Sequence, residues 1–510
     1  MLSCDVLTPS PGSVVASWYI IDAPVSRAQS QLTHISMRVA LLLITLSAAS
    51  AAPNSWPLVP SLDNFLKEQG NNVVSWYNDA TNMKGSVENY VEEQQQMIKD
   101  KFSDYVDDIQ ENGRHLVDST YSTRETSLLD NPDIVLSVPG IITRHGYICE
   151  THTVISQGYV LNVHRIPRSR SHSDVSSKTV LLQHGLFASS ADWIMNGPGK
   201  GLAYVLADAG YDVWMTNIRG NRYSKDHVWY KTNSEEYWDF SWHEVALYDV
   251  PAVIDYIMEI KGTDSKISYI GHSMGTTILF AMLTLRPEYN NILTAGFALA
   301  PVVYLSDMKS PLKSMAPIAS NLAYLDSLQG TYEFIPKNSA LGQISSTCSG
   351  ENMDSLICKN IVFYLCGFNE KQFNKTLLPV FLSHLGTGTS WKTAVHFSQE
   401  ILSGKFAQFD YGYWKNWRVY GTSSPPNYDL NKVTLPIKLF WSKNDLLSSE
   451  RDVRALYDKL PVKPDMFLVP DEKFNHLDYL WAIDAPRLLN NEILSSLETH
   501  MPDYSFTVRF

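Results

Sequence analysis

Five residues, Gly271-His272-Ser273-Met274-Gly275, constrain this chain more than any other stretch of it. They directly follow the strand-like run KISYI and directly precede the helix-like run TTILFAMLTL. Glycines at that spacing let a strand turn sharply into a helix, which lifts the serine hydroxyl above a sheet near the positive end of the helix. The pattern is that of a nucleophile elbow, with Ser273 at its tip and Gly271, His272 and Gly275 shaping the turn.

An elbow of this kind needs a sheet to stand on, and the surrounding chain supplies one. Short apolar runs at 159–166, 179–183, 211–215, 267–270, 297–300 and 437–441 read as strands. Helical stretches such as 248–260 and 277–285 lie between them. Strands alternating with helices imply a doubly wound, mostly parallel α/β sheet covered on both faces. From Pro301 to about Leu435 the strand rhythm stops, and aromatic and aliphatic segments such as 361–368 and 377–385 read as a mainly helical cap inserted between two core strands. Caps placed over the C-terminal edge of such sheets commonly form the substrate pocket.

A serine hydroxyl is a poor nucleophile until a base takes its proton, and in this topology a carboxylate and then a histidine follow the serine in the chain. Asp445 lies in Ser-Lys-Asn-Asp-Leu-Leu just after the strand-like IKLFW, and His476 lies in Phe-Asn-His-Leu-Asp-Tyr after the apolar run 466–469. Asp471 and Asp478 are rival carboxylates, but both flank the histidine loop instead of following a strand. Asp445 is therefore the expected partner of His476. Developing oxyanion charge needs backbone donors, expected from the N–H groups of Met274 and of Leu186 in Gln183-His184-Gly185-Leu186. No metal or organic cofactor is called for.

The chain has 510 residues and a formal charge of −12. No basic stripe is available to follow a phosphate backbone, so nucleic acid is not an expected partner. Residues 53–130 hold 14 acidic and 6 basic side chains, which places most of that charge in one segment. Within it Val91, Ile98, Phe102, Tyr105 and Ile109 fall on one face of a helix, so an acidic helical extension is expected. From Met37 the chain reads as a signal peptide: Arg38, an apolar run to Leu46, then small residues before Pro53. Residues 1–52 thus read as a leader with Met37 as the true start, and no later apolar run is long enough to anchor the mature chain in a bilayer. The expected organisation is a leader (1–52), an extension (53–130) and a catalytic domain (131–510) carrying the cap (301–435). Cys348, Cys358 and Cys366 lack metal-site spacing and suggest one disulfide among them, the pair being open. Asn374-Lys375-Thr376 is a glycosylation sequon suited to a secreted protein.

Six segments together carry a resemblance: HGYICETHTVISQGYVLNVHRIP (145–167), LLQHGLFASSADW (181–193), DVWMTNIRGNRYSKDH (212–227), ISYIGHSMGTT (267–277), SKNDLLSSERDV (442–453) and FNHLDYLWA (474–482). From about Asn131 to its C-terminus the chain resembles the acid lipase family, the group of gastric, lysosomal and arthropod digestive lipases. The resemblance implies an α/β-hydrolase fold with a cap and lid. It also implies hydrolysis of triacylglycerols or sterol esters at an oil–water interface, a secreted or lysosomal location, and the roles argued above for Ser273, Asp445, His476, Leu186 and Met274. It further suggests that Cys348 pairs with Cys358. Met274 stands where the family usually has Gln, which leaves the backbone donor in place but alters the pocket's polarity. The competing expectations are a carboxylesterase for smaller esters and a catalytically silent lipid-binding protein.

Overall fold

The structure is a computed structural model that describes residues 131–168, 178–262, 265–321, 323, 332–334 and 365–501. The leader, the acidic extension with its helical stripe, and Cys348 and Cys358 lie outside the described residues. The chain divides into two compact units, of which residues 410–425 are the described part of one, while the other comprises residues 105–409 and 426–510.

The larger unit is built on a nine-stranded sheet. Its strands are β1 (Glu150–Ser156), β2 (Tyr159–Ile166), β3 (Lys178–Gln183), β4 (Asp212–Met215), β5 (Asp226–His227), β6 (Lys266–His272), β7 (Leu293–Leu299), β10 (Ile437–Trp441) and β11 (Asp465–Leu468). The remaining two, β8 (Glu333–Phe334) and β9 (Thr389–Ser390), form a separate antiparallel pair. In the large sheet the order is β1-β2-β4-β3-β6-β7-β10-β11, with β5 paired to β2. Strands from β4 to β11 run parallel, whereas β1, β2 and β5 pair antiparallel at one edge.

The parallel strands are apolar on both faces because helices cover both. Val180, Leu182, Val213, Met215 and Ile270 pack into one buried layer. Leu181, Trp214, Ile267 and Tyr269, the alternate residues, pack into the other. The helix Met274–Leu285 that leaves β6 lies wholly within the second layer and is buried along nearly its full length. A helix with no charged residue and apolar side chains all round belongs in such a place, and its Thr276, Thr277 and Thr284 hydroxyls are satisfied by backbone carbonyls.

Within 301–435 the described elements are mainly helical, including Leu378–His384 and Trp391–Ser403. The β8–β9 pair departs from that expectation. Its two-residue strands are too short to announce themselves in sequence, and Phe334 is held there by ring contacts with Phe187 and Trp391. Among the described residues no helix is long and apolar enough to cross a membrane.

Candidate active site

Ser273 occupies the sharp turn between β6 and the helix Met274–Leu285, with φ 54° and ψ −120°. Positive φ is strained for a non-glycine residue. The turn is held by its flanks: Ser273 N–H donates to the Leu299 carbonyl at 3.1 Å, and Thr276 N–H donates to the Ser273 carbonyl at 2.8 Å. The glycines are needed for space. A Cβ on Gly271 would stand 2.6 Å from the Gly275 carbonyl oxygen, and one on Gly275 would run into the Gln183 carbonyl.

Three chain segments bring the side chains together at the C-terminal edge of the sheet. Ser273 Oγ lies 2.8 Å from His476 Nε2, and His476 Nδ1 lies 2.8 and 3.0 Å from the two Asp445 oxygens. A carboxylate only accepts, so Nδ1 carries the imidazole proton and Nε2 is left to accept from the serine hydroxyl. Asp445 is fixed in turn by the backbone N–H groups of Leu447 (2.9 Å) and Ser448 (2.8 Å). Asp445 and His476 are buried, whereas Ser273 is partly exposed. The arrangement can move a proton from Ser273 to His476 while the buried Asp445 stabilises the imidazolium.

The rival carboxylates are engaged elsewhere. Asp478 accepts from Asn475 N–H at 2.9 Å and from Asn369 Nδ2 at 2.8 Å. Asp471 accepts from Lys473 N–H at 2.9 Å. Burial, reinforced by the nearby Asp471 and Asp445, raises the Asp478 carboxyl to about 7.

The loop after β3 passes over Ser273: a Cβ on Gly185 would stand 3.2 Å from Ser273 Cβ. The N–H groups of Leu186 and Met274 donate to no protein acceptor among the described residues. His184 holds this loop, with Nδ1 at 2.8 Å from the Gly185 carbonyl and Nε2 accepting from Ile218 N–H at 3.2 Å. Burial lowers His184 to about 4, so the ring stays neutral.

Four further contacts carry no signal in the sequence. His272 donates from Nε2 to the His476 carbonyl at 2.9 Å, and burial lowers it to about 3. The chain at 366–368 also meets both loops of the site. The Cys366 carbonyl accepts from His476 N–H (3.2 Å), the Gly367 carbonyl from Asn475 Nδ2 (2.9 Å) and the Phe368 carbonyl from Asn444 Nδ2 (3.0 Å). Cys366 itself is a free thiol, raised by burial. Asn374 lies apart from the site, partly exposed, with its side chain accepting from Thr376 N–H at 3.1 Å.

A model of the partial alpha/beta-hydrolase lipase region matches residues 138–197, and a model of the alpha/beta hydrolase fold matches residues 178–322. Lipase 1 of Drosophila melanogaster is 39% identical over 366 residues, covering 72% of this chain and 80% of its own length. The gastric triacylglycerol lipase of Rattus norvegicus is 39% identical over 374 residues, covering 72% of this chain and 93% of its own. The lysosomal acid lipase/cholesteryl ester hydrolase of Macaca fascicularis is 35% identical over 374 residues, covering 72% and 92%.

Proposed function

Because the chain belongs to the acid lipase family of α/β-hydrolases, we propose that it hydrolyses carboxylic esters of neutral lipids, triacylglycerols or sterol esters, by way of an acyl-enzyme on Ser273. The observation that carries the assignment of roles is the unbroken hydrogen-bonded chain from Ser273 Oγ through His476 to Asp445. Ser273 Oγ attacks the ester carbonyl and its proton passes to His476 Nε2. The tetrahedral oxyanion is met by the N–H groups of Leu186 and Met274. Collapse expels the alcohol, which takes the proton from His476. Water then attacks the acyl-enzyme with His476 again as base, releasing the fatty acid and restoring Ser273.

The organisation fits this chemistry. We take 131–510 as the catalytic domain, 301–435 as the cap that shapes the acyl site, 53–130 as an appended acidic extension and 1–52 as a leader removed on export. Export to an extracellular or lysosomal space is consistent with a glycan on Asn374 and a Cys348–Cys358 bridge; the free Cys366 thiol is what that pairing would leave.

The test is hydrolysis of emulsified trioleoylglycerol and cholesteryl oleate by purified protein beside Ser273→Ala. Turnover of at least one lipid that is lost in the variant supports the reading. Turnover of dissolved short esters alone would move the chain to the carboxylesterases. If a fluorophosphonate failed to label folded protein at Ser273, a silent lipid binder would become the better account.

A further inference from the structure

The sheet edge beside the candidate active site ends in an exposed apolar turn. Strand β5 pairs with the start of β2, His227 opposite Tyr159 and Asp226 opposite Val160. Strand β2 runs antiparallel to β4, with His164 opposite Met215. Met215 is level with Leu182, and Leu182 with Ile270 of β6, just before the elbow. The Tyr159 end of β2, and with it β5, therefore projects past the edge of the sheet at which Ser273 stands.

Immediately after β5 come Val228, Trp229 and Tyr230, which are 57%, 73% and 45% exposed. Three consecutive large apolar side chains turned to water are an unfavourable arrangement for a protein surface with no partner. The turn is nonetheless rigidly built. His227 Nδ1 accepts from the N–H groups of both Trp229 and Tyr230 at 3.0 Å. Val228 N–H donates to the Gly158 carbonyl at 2.8 Å. The His227 ring stands edge-on to Tyr159, centroids 4.5 Å apart. A Cβ on Gly158 would stand 2.8 Å from the Trp229 ring, so only glycine there lets the ring lie against the hairpin. The backbone is fixed from below, and the Trp229 and Tyr230 rings rest against His227 on one side while staying exposed on the other.

We propose that Val228, Trp229 and Tyr230 form a lipid-surface anchor, inserting into an uncharged oil–water interface so that the edge of the sheet carrying Ser273 faces the substrate. This rests on the lipase reading, since a neutral lipid insoluble in water has to be met at its surface. Trp and Tyr suit that boundary, with an apolar ring and a polar N–H or O–H. The surface is uncharged rather than anionic: between Asp226 and Glu235 only Lys231 adds positive charge, and the neighbouring Lys225 is paired with Glu333 at 2.8 Å.

The experiment compares wild type with Val228→Ser/Trp229→Ser/Tyr230→Ser. Flotation with trioleoylglycerol droplets coated in phosphatidylcholine measures adsorption, and p-nitrophenyl butyrate below its solubility limit measures chemistry. The expected result is that droplet affinity, and the ratio of emulsion to dissolved-ester turnover, both fall by at least about tenfold. Equal adsorption of the two proteins overturns the proposal. Failure of the lipase reading looks different: wild type would adsorb but leave the droplet lipid intact. Should the variant not fold, hydrogen exchange of wild type decides. Slower exchange at 226–231 on droplets supports the anchor, and unchanged exchange there refutes it.

Discussion

Replacing Asp478 by Asn tests the electrostatics of the site without touching the proposed proton path. The Asp478 carboxyl is buried, accepts two hydrogen bonds and has Asp471 and Asp445 nearby, and it is raised from 3.8 to about 7. Between those values the native state holds a proton that the unfolded chain has lost. Stability contributed by Asp478 is therefore fully present below about pH 3.8 and declines as pH rises toward 7. Three units at 1.36 kcal/mol each set the loss at about 4 kcal/mol. An Asn at this position has no proton to lose, and its amide oxygen can still accept from Asn475 N–H and Asn369. Urea unfolding followed by tryptophan fluorescence from pH 4 to 8 is the assay. Near pH 4 the two proteins should differ little; by pH 7.5 the variant should have gained several kcal/mol on wild type. Parallel curves, or a wild type that gains on the variant as pH rises, would refute the reasoning. Asp192, raised by burial to about 8, slopes the same way but cancels in the difference.

Three other perturbations have definite outcomes. His272→Ala removes the donor to the His476 carbonyl and should lower kcat on dissolved ester by about fivefold with KM little changed, in keeping with about 1 kcal/mol for one hydrogen bond. Steady-state kinetics would show it. Arg219, buried, grips Asp249 through Nε at 2.8 Å and a terminal nitrogen at 2.5 Å, so Arg219→Met should cost about 3–5 kcal/mol by stranding a buried carboxylate. Adding Asp249→Leu should restore most of the melting temperature. Gly275→Ala drives a Cβ into the Gln183 carbonyl and should destabilise by about 3 kcal/mol or more, read as a lower melting temperature or lost soluble protein.

Strands β3, β4, β6, β7 and β10 were legible because both of their faces are largely buried, so each reads as an apolar run, and β2 through its apolar residues Tyr159, Leu161 and Val163 at alternate positions. Strand β1, Glu-Thr-His-Thr-Val-Ile-Ser, was not, because one face points to water and its polar residues blur the signal. The π-helical turn Val245–Asp249 likewise has no separate mark, only overlapping the start of the stretch 248–260 that reads as ordinary helix. The elbow was legible since sterics demand its glycines. Chain order and the position after a strand were enough to separate Asp445 from Asp478; distance adds that Asp478 is taken up by Asn369 and Asn475. His184 and His272 act through backbone carbonyls, and a contact to a carbonyl leaves no trace in residue type.

The three successive carbonyls at 366–368 tie the middle of the segment 301–435 to both the Asp445 loop and the His476 loop. Gly367 is left-handed there, φ 110°, and a side chain on it would collide with the Asn444 carbonyl. This middle stretch of 301–435 is thus masonry of the sheet edge where Ser273 stands rather than part of an exchangeable roof. A chimera that borrows 301–435 from a relative has to keep a glycine at 367 and the turn around it. One that loses that turn would keep Ser273, Asp445 and His476 in its sequence yet leave the His476 loop untethered.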